Sequence, residues 1–206
     1  MRYTGPKNRL ARRQGADLGL KTVGSKSHAR LLKKLNVLPG QHGTRGRRKT
    51  TEYGIQLKEK QKLRFMFGIT ESQQKRYYKA AVKKKGNTAL HLTKSLEARL
   101  DNVVFRLGFA PTRAAARQLV NHGHFKVNDK IVTIPSFQTK INEIISFTND
   151  KSAKIPYIEK NLNNKDIILP TWLERKATVG KIISEPDIDD IKNLINLRLV
   201  VEYYSR

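Results

Sequence analysis

The chain lacks cysteine, long apolar segments and, in its first fifty residues, almost all acidic side chains. The missing cysteine excludes disulfides, thiolate catalysis and cysteine-ligated zinc, and it is typical of a reducing compartment. No run of about eighteen apolar residues occurs, so no transmembrane helix is expected. The basic amino terminus lacks the apolar core of a secretory signal, and Gly5, Pro6 and Gly15 interrupt the helical period of a transit peptide. We therefore interpret this start as mature protein.

The scarcity of acidic residues leaves a large positive charge. The 206 residues include 42 Lys and Arg against 17 Asp and Glu, a formal net charge of +25. Residues 1–50 contribute +13, residues 51–100 contribute +8, and 101–150 and 151–206 contribute +2 each. Such a charge opposes a compact fold unless a polyanion neutralises it. We expect a polyanionic partner, with most phosphate contacts in the first half.

Metal and cofactor binding are not expected. Asp17 is the only acidic residue among the first fifty, so His28 and His42 have few possible co-ligands there. We expect the histidines to meet phosphate, RNA or solvent instead.

The first fifty residues combine basic side chains with many glycines and show little amphipathic period. Their apolar side chains, such as Leu31 and Leu38, exceed what a disordered tail needs. We therefore expect a basic extension that folds only against RNA. A solvated, disordered tail is the alternative.

Two basic helices are predicted next. The first follows Thr50 or Thr51, ends at Gly68 and carries an apolar stripe at helical spacing, made of Tyr53, Leu57, Leu63 and Phe67. Thr70 and Gln73 match a capping box that opens the second helix, which Gly86 is expected to end.

The middle of the chain has the pattern helix, helix, hairpin and strand. Apolar spacing over residues 92–107 predicts a buried helix, and a short helix follows with Thr112 as N-cap and Gly123 as its end. FKVNDKIV alternates around a turn at Asn128 and Asp129, and KINEIISF alternates again.

The last third is less regular. Residues 148–170 predict a connecting excursion with weak structure, ATVGKII predicts a strand, and a helix is expected from Asp187. LRLVVEYY alternates apolar and mixed residues and is predicted to be a final strand. Because one of its faces is continuously apolar, we expect it to fold back onto the stripe of the first basic helix.

No catalytic motif is apparent. The chain has no Walker loop, GxGxxG fingerprint, nucleophile elbow or zinc-binding histidine spacing. Asp189 and Asp190 fall in the first turn of a predicted helix, where its dipole explains them without catalysis. An enzyme that modifies RNA is the alternative function, because a helix–helix–hairpin module can be joined to a catalytic domain.

Several segments resemble one family. LEARLDNVVFRLGFAPTRAAARQLVNHGHFKVNDKIVTIPSF resembles the S-four (S4) RNA-binding domain, which ribosomal proteins share with some tRNA synthetases, pseudouridine synthases and heat-shock RNA binders. RYTGPKNRLARRQG, PGQHGTRGRRKTTEYGIQLKEKQKLRFMFGI, KGNTALHL, PTWLE and LRLVVEYYSR are, in this order, similar to bacterial-type ribosomal protein S4. GSKSHARLL stands where some members carry a zinc-binding cysteine cluster, so the chain resembles the zinc-free version.

The resemblance implies an α+β fold in three parts. A basic N-terminal extension spans 1–50. A mostly helical, discontinuous domain spans 51–92 and is completed by 185–206. An S4 domain, with helices packed on a small antiparallel sheet, is inserted at 93–184 and has its core at 93–150.

The resemblance also implies a structural role in the small ribosomal subunit. Expected partners are 16S rRNA, bound in its 5′ domain early in assembly, and mRNA at the entry channel. Ribosomal protein S-five (S5) is implied as the neighbour at an interface that affects translational accuracy, and ribosomal protein S-three (S3) as the neighbour at the channel. The expected location is the ribosome in the cytoplasm, or in the matrix or stroma if the gene is organellar.

Three groups of candidate site residues follow. The rRNA-binding candidates are mainly basic residues of the extension, the two basic helices and the S4 domain: Arg2, Tyr3, Lys7, Arg9, Arg12, Arg13, Lys58, Lys62, Arg76, Lys83, Lys84, Lys85, Thr112, Arg113, Arg117, His122, Lys126 and Lys130. The mRNA-channel candidates are Arg45, Arg47, Arg48 and Lys49. The protein-interface candidates are Tyr53, Gln56, Val201, Glu202 and Tyr203.

Two of these candidates share one helix face. Arg113 and Arg117 are four residues apart and are expected to clamp an RNA backbone, while Thr112 presents the helix N-terminus to phosphate. For all the basic candidates, a solvated charged face is the alternative.

Overall fold

The α+β class is confirmed: the described residues form helices at both ends of the chain and an antiparallel sheet in its second half. The computed structural model describes residues 3–46, 49–162, 168–186 and 189–206. The chain forms two compact units, one from Met1–Leu92 with Asp189–Arg206 and the other from Thr93–Ile188. The second unit is therefore inserted into the first.

The basic extension contains two short helices, α1 (Lys7–Gln14) and α2 (Lys26–Lys33), and a 3₁₀ turn at Gly43–Arg45. Leu10 and Leu31 are buried where α1 and α2 pack. Neither helix was predicted from the sequence. Each α-helix has only about two turns, so its few apolar residues do not produce a visible period.

Helix α3 (Glu52–Phe67) has the predicted bounds. The Thr51 hydroxyl accepts a hydrogen bond from the Gly54 backbone N–H at 3.2 Å. Gly68 ends the helix with a left-handed φ of 59°, a conformation that glycine adopts without steric cost.

Helix α4 (Glu71–Val82) opens with the predicted capping box. The Gln73 N–H donates to the Thr70 hydroxyl at 3.3 Å, and the Thr70 N–H donates to the Gln73 side chain at 3.2 Å. The helix ends four residues before Gly86, because Lys83 already serves as its C-terminal cap.

The predicted C-terminal strand is wrong: Leu197–Ser205 form helix α11. The Asn196 side chain accepts from the Leu199 N–H and caps this helix. Alternation in a short apolar run does not distinguish strand from helix, and here the N-cap and the neighbouring helix decide. Helix α11 packs along α3. Its buried side chains are Leu197 and Val200, which lie three residues apart on one helical face.

A short helix, α10 (Asp189–Lys192), precedes α11. Its predicted start at Asp187 lies outside the described residues.

The second unit begins with the end of α5 (Thr88–Glu97), followed by α6 (Leu100–Arg106) and α7 (Arg113–Asn121). The single helix predicted over residues 92–107 is thus wrong. It is broken at Arg99, whose extended backbone (ψ 136°) lets the adjacent N–H of residue 100 donate to the carbonyl of residue 137 at 2.9 Å.

Helix α7 and the hairpin confirm the local prediction. The Thr112 hydroxyl accepts from the Ala115 N–H at 3.2 Å and caps α7. Asn128 and Asp129, with φ of 46° and 65°, form the turn between the first two strands.

Over the described ranges, the sheet has five strands: β1 (Phe125–Val127), β2 (Lys130–Ile131), β3 (Ile144–Phe147), β4 (Leu173–Lys176) and β5 (Val179–Ile182). They are antiparallel, in the order β2-β1-β3-β5-β4. Strands β1, β2, β3 and β5 confirm the predicted strand segments, whereas β4 was not predicted.

The excursion is more ordered than expected. It contains α8 (Asp150–Ala153) and α9 (Pro156–Leu162). Ile158 on α9 is fully buried in the core of this unit, so α9 is part of the packed domain rather than a loose connection.

The core of the second unit lies between α6, α7, α9 and the inner face of the sheet. Phe109 and Phe125 stack with ring centroids 5.9 Å apart, and Trp172 is buried. A Cβ at Gly180 would lie 2.4 Å from Leu107. Strand β5 therefore needs glycine there to approach α6 closely.

Truncating Val200 to Ala should destabilise the first unit by about 1–3 kcal/mol, because Val200 is fully buried on α11. Hydrogen exchange of α3 should speed up accordingly. The matched control is Arg198→Ala on the exposed face of α11, which loses only an i,i+4 ion pair with Glu202 and should change stability by no more than about 0.5 kcal/mol. Unchanged exchange in α3 for Val200→Ala would contradict the packing.

Candidate RNA-binding surface and protein interface

The basic candidates of the extension divide into structural and exposed side chains. Arg12 donates from Nε to the Val37 carbonyl at 2.9 Å and from a terminal nitrogen to the Leu38 carbonyl at 3.0 Å. It therefore ties the loop after α2 to α1. Arg9 and Arg13 are exposed on the same helix, so they are available to a phosphate backbone.

Lys7 and Tyr3 form a local pair. The Lys7 ammonium donates to the Tyr3 carbonyl at 2.9 Å and lies 5.5 Å from the centre of its ring. Arg2 lies outside the described residues.

The candidates on α3 and α4 also differ in exposure. Lys62 is largely buried and pairs with Glu59 at 2.6 Å, and Lys58 is half-buried. Arg76 is exposed on α4. Lys83, Lys84 and Lys85 follow the end of α4 and are all exposed, where their charge also complements the helix dipole.

Helices α5, α6 and α7 of the second unit are joined by a buried polar network. Asn102 donates from its amide to the Glu97 carbonyl at 3.0 Å and to the Glu97 carboxylate, and its side-chain oxygen accepts from Arg113 Nε at 2.7 Å. Arg106 binds the same carboxylate through two nitrogens, at 2.7 and 3.0 Å. A single carboxylate thus joins the end of α5 to α6 and, through Asn102, to α7.

A second carboxylate completes the network. Asp101 accepts from two nitrogens of Arg99, at 3.0 and 2.8 Å, and Arg117 lies 3.4 Å from it. Arg99 is fully buried and Asp101 nearly so. A buried charge is costly unless it is paired and hydrogen-bonded, so the fold would be destabilised without these contacts.

Arg113 is part of this network and is only 9% exposed. Its guanidinium also lies 4.5 Å from the centre of the Phe105 ring. Burial lowers the pKa of Arg113 to about 10, although the carboxylates of Glu97 and Asp101 oppose that shift, so the side chain stays charged at neutral pH. The structure does not present Arg113 and Arg117 as an exposed pair, because Arg113 is directed into the core.

The remaining candidates of the S4-like module lie at the surface. His122 and Lys130 are exposed, and Lys126 is half-buried. The ring of His122 stacks on that of His124 at 6.2 Å. Thr112 is half-buried, and its hydroxyl is used in capping α7.

The four mRNA-channel candidates follow the second short helix of the extension. Arg45 in the 3₁₀ turn and Lys49 after it are exposed. Arg47 and Arg48 lie outside the described residues. The rRNA and mRNA assignments stay predictions.

The protein-interface candidates meet where α11 packs on α3. The rings of Tyr53 and Tyr203 lie 5.6 Å apart, and Gln56 donates to Glu202 at 3.4 Å. Val201, on α11 with Glu202 and Tyr203, is half-buried. The structure thus brings together residues separated by some 150 positions in the chain.

Sequence reasoning missed the centre of this cluster. Tyr204 donates to Glu71 at 2.8 Å, and Lys60 contacts the other Glu71 oxygen at 2.9 Å. Tyr78 stacks on Tyr204 with centroids 4.9 Å apart. Burial and the hydrogen bond to Glu71 raise the pKa of Tyr204. No sequence signal identified Tyr204, because a strand would have placed it opposite Tyr203, on the mixed face.

Within the described residues, no three His, Asp or Glu side chains are grouped to hold a metal ion. No described helix is both long and apolar enough to cross a membrane.

The sequence matches known protein families along most of its length. Residues 2–97 match the model described as "Ribosomal protein S4/S9 N-terminal domain", and residues 98–145 match the S4 domain. Relatives align over the full chain at more than 40% identity. The chain belongs to the ribosomal protein S4 family. Members of this family are structural proteins of the ribosome, so an RNA-modifying enzyme is excluded as the function.

The relatives are bacterial and plastid-type proteins. "Small ribosomal subunit protein uS4c" of Trieres chinensis is 47% identical over 100% of this chain and 98% of its own length. "Small ribosomal subunit protein uS4" of Brevibacillus brevis is 46% identical over 100% and 99%, and that of Sulfurihydrogenibium sp. is 44% identical over 99% and 98%. Identity of this extent confirms the resemblance to the S4 family, and the absence of cysteine matches its zinc-free version.

The stability of the first unit should depend on Glu71 in a pH-dependent way. Burial opposes ionisation, but hydrogen bonds from Lys60 and Tyr204 and the charges of Lys60 and Arg64 outweigh it and lower the pKa of Glu71 below 4.5. A lowered folded-state pKa stabilises the protein above the unfolded pKa, and this contribution is lost as pH falls through the folded pKa.

We therefore expect Glu71→Gln to reduce the free energy of unfolding more at pH 6 than at pH 3, as measured by urea denaturation at both pH values. Tyr204→Phe removes one hydrogen bond to Glu71. In that background, the loss of unfolding free energy caused by Glu71→Gln should differ less between pH 6 and pH 3. An equal effect of Glu71→Gln at both pH values would show that the Glu71 charge does not stabilise the fold.

Proposed function

We propose that the protein is a structural constituent of the small ribosomal subunit that binds the 5′ domain of 16S rRNA directly and early in assembly. The observation that carries this proposal is the full-length similarity to small-subunit proteins uS4 and uS4c. The net charge of +25 supports it, because a polyanion is the partner that such a charge requires.

The exposure of the candidates refines which side chains contact RNA. We assign phosphate contacts to the exposed basic residues of α1 and α4, of the end of α4, and of the S4 domain: Arg9, Arg13, Arg76, Lys83, Lys84, Lys85, His122 and Lys130. Arg12, Lys62, Arg113 and Arg117 have protein partners. Their role is to fix the elements that carry the exposed residues.

Recognition then depends on shape rather than on base sequence. Lys and Arg neutralise phosphates without reading bases, and a fold held by internal ion pairs sets the spacing of those charges. In the S4 domain, Glu97 and Asn102 fix α7 relative to α6, so the exposed residues after α7 occupy defined positions before RNA arrives.

Binding to 16S rRNA should weaken steeply with salt. If six to ten phosphates are neutralised, affinity should fall by about 10³–10⁵ between 50 and 200 mM salt, by analogy with duplex DNA. Filter binding across this range measures the slope. The triple variant Lys83→Ala, Lys84→Ala, Lys85→Ala should reduce the slope of log K against log salt by about 2–3.

The matched control replaces three exposed lysines of the excursion, Lys151, Lys154 and Lys160, and should leave the slope nearly unchanged. Salt-independent binding, or equal binding of arbitrary RNA at high salt, would contradict a specific rRNA site.

A second proposed contact is with mRNA at the entry channel, near ribosomal protein S3. The exposed Arg45 and Lys49 support it, together with the family-like segment PGQHG that precedes them.

The third proposed contact is with ribosomal protein S5, through the cluster of Tyr53, Gln56, Val201, Glu202 and Tyr203 on α3 and α11. Tyrosines that are partly exposed are typical of protein interfaces, and this contact would carry the contribution to translational accuracy.

Replacing Arg45, Arg47, Arg48 and Lys49 together with Ala should leave incorporation into small subunits intact and impair translation of structured mRNA. Sucrose-gradient incorporation and translation of matched structured and unstructured messages would separate these effects. Loss of incorporation would show that the four residues serve assembly, and equal translation of both messages would remove the mRNA role.

A further inference from the structure

The sheet of the second unit has one face in the core and one face in solvent. Phe125, Val127, Ile145 and Ile182 belong to the core face and are at most 5% exposed. Successive side chains of a strand point to opposite faces, so their neighbours lie on the other side. The strand register assigns this outer sheet face to Lys126, Ile131, Ile144, Ser146, Glu174, Lys176, Val179 and Lys181.

Aliphatic side chains are exposed on this face. Ile131 is 57% exposed, Ile144 45% and Val179 40%. The solvated face of an antiparallel sheet is normally polar, and single exposed aliphatic residues are common. Here three branched aliphatic side chains share one small sheet face, so a single partner can cover all three.

The register intersperses these side chains with lysines. One row across the sheet runs Ile131, Lys126, Ser146, Val179 and Lys176, because each residue pairs with the next. At about 4.8 Å per strand, this row is roughly 19 Å long. In the adjacent row Ile144 is paired with Lys181, and Lys181 is paired in turn with Glu174, whose carboxylate contacts Lys176 instead. The outer sheet face thus carries three lysines, three aliphatic side chains, one serine and one glutamate, over a length that a short polypeptide segment spans.

The charge of the outer sheet face is positive and partly uncompensated. Lys176 lies 3.2 Å from Glu174. Within the described part of the chain, Lys126 and Lys181 have no carboxylate within ion-pair distance. A partner that covers this face therefore needs acidic side chains for Lys126 and Lys181, and aliphatic ones for Ile131, Ile144 and Val179.

These requirements disfavour two possible occupants of the outer sheet face, RNA and a second copy of the chain. RNA-binding sheets stack bases on exposed aromatic side chains, and the outer sheet face has none among its eight residues. Phosphates are attracted to lysine but gain nothing from isoleucine or valine. A second copy carries the same charge of +25 and would be repelled.

We propose that the outer sheet face is a docking surface for an acidic polypeptide segment of another ribosomal protein, with carboxylates at Lys126 and Lys181 and aliphatic side chains between them. The face belongs to the second unit, whereas the cluster assigned to ribosomal protein S5 belongs to the first. The proposal assigns Lys126, which the sequence suggested as an rRNA contact, to this protein partner and leaves the other rRNA candidates unchanged.

Site-specific crosslinking in assembled subunits tests this docking surface. The natural chain has no cysteine, so Val179→Cys introduces a unique thiol at the middle of the face. The full chain is labelled there with a benzophenone maleimide, assembled with ribosomal RNA and the other small-subunit proteins, irradiated and digested for mapping. Ile144→Cys gives a second position if the first variant does not assemble. Ile168→Cys is the control, since Ile168 is a 93% exposed aliphatic residue of the same unit outside the sheet.

We expect positions 179 and 144 to crosslink to one protein segment that contains acidic and aliphatic residues, and position 168 not to do so. Adding Lys181→Glu should lower that yield about fivefold, the scale of losing an exposed attraction, whereas adding Lys160→Glu should not. Crosslinks to rRNA alone, to a protein segment without acidic residues, or at the yield of the control would overturn the proposal.

Discussion

A strongly basic chain can fold only if the positive charges it buries are given negative partners inside the protein. The second unit meets this requirement with two carboxylates, Glu97 and Asp101, which lie among the guanidinium groups of α6, α7 and the break between α5 and α6. Removing one partner of a buried pair leaves an uncompensated charge and costs several kcal/mol. The break after α5 and the packing of α6 on α7 both depend on these contacts.

This constraint divides the basic residues into two classes with different roles. Arg12, Lys62, Arg99 and Arg106 bind partners within the protein and give the fold its internal order. The exposed lysines and arginines are the ones whose charge is accessible to a polyanion. Exposure and bonding, rather than charge alone, therefore separate the residues that hold the structure from those proposed to hold RNA. Arg113 shows the distinction, because its spacing from Arg117 suggested a phosphate clamp while its burial makes it a link between helices.

In the first unit a single carboxylate, that of Glu71, also joins several helices. Glu71 connects α3, α4 and α11 by accepting from Lys60 and Tyr204 at one site. Lys60 also lies 4.7 Å from the centre of the Tyr203 ring, so one lysine links a carboxylate to an aromatic face. The C-terminal helix is held in place through polar and aromatic contacts as well as through buried Val200. The tyrosines that remain partly exposed there form the surface proposed to meet a neighbouring protein.

The sequence by itself determined the features that depend on neighbouring residues. The hydroxyl caps at Thr70 and Thr112 predicted two helix starts, and Gly68 predicted an end, because capping bonds join residues only a few positions apart. For α3 the sequence narrowed the cap to Thr50 or Thr51, and the structure shows Thr51. The hairpin turn followed from local residue types in the same way, and the expectation of a polyanionic partner followed from composition.

Only the tertiary structure decided the features that depend on distant contacts. The break at Arg99 requires residues 137–139 alongside it, and α11 becomes a helix where α3 offers a surface for its buried side. The inward direction of Arg113 depends on Asn102, eleven residues earlier. Local pattern could not supply these outcomes, because in each case the deciding partner is brought close only when the chain folds.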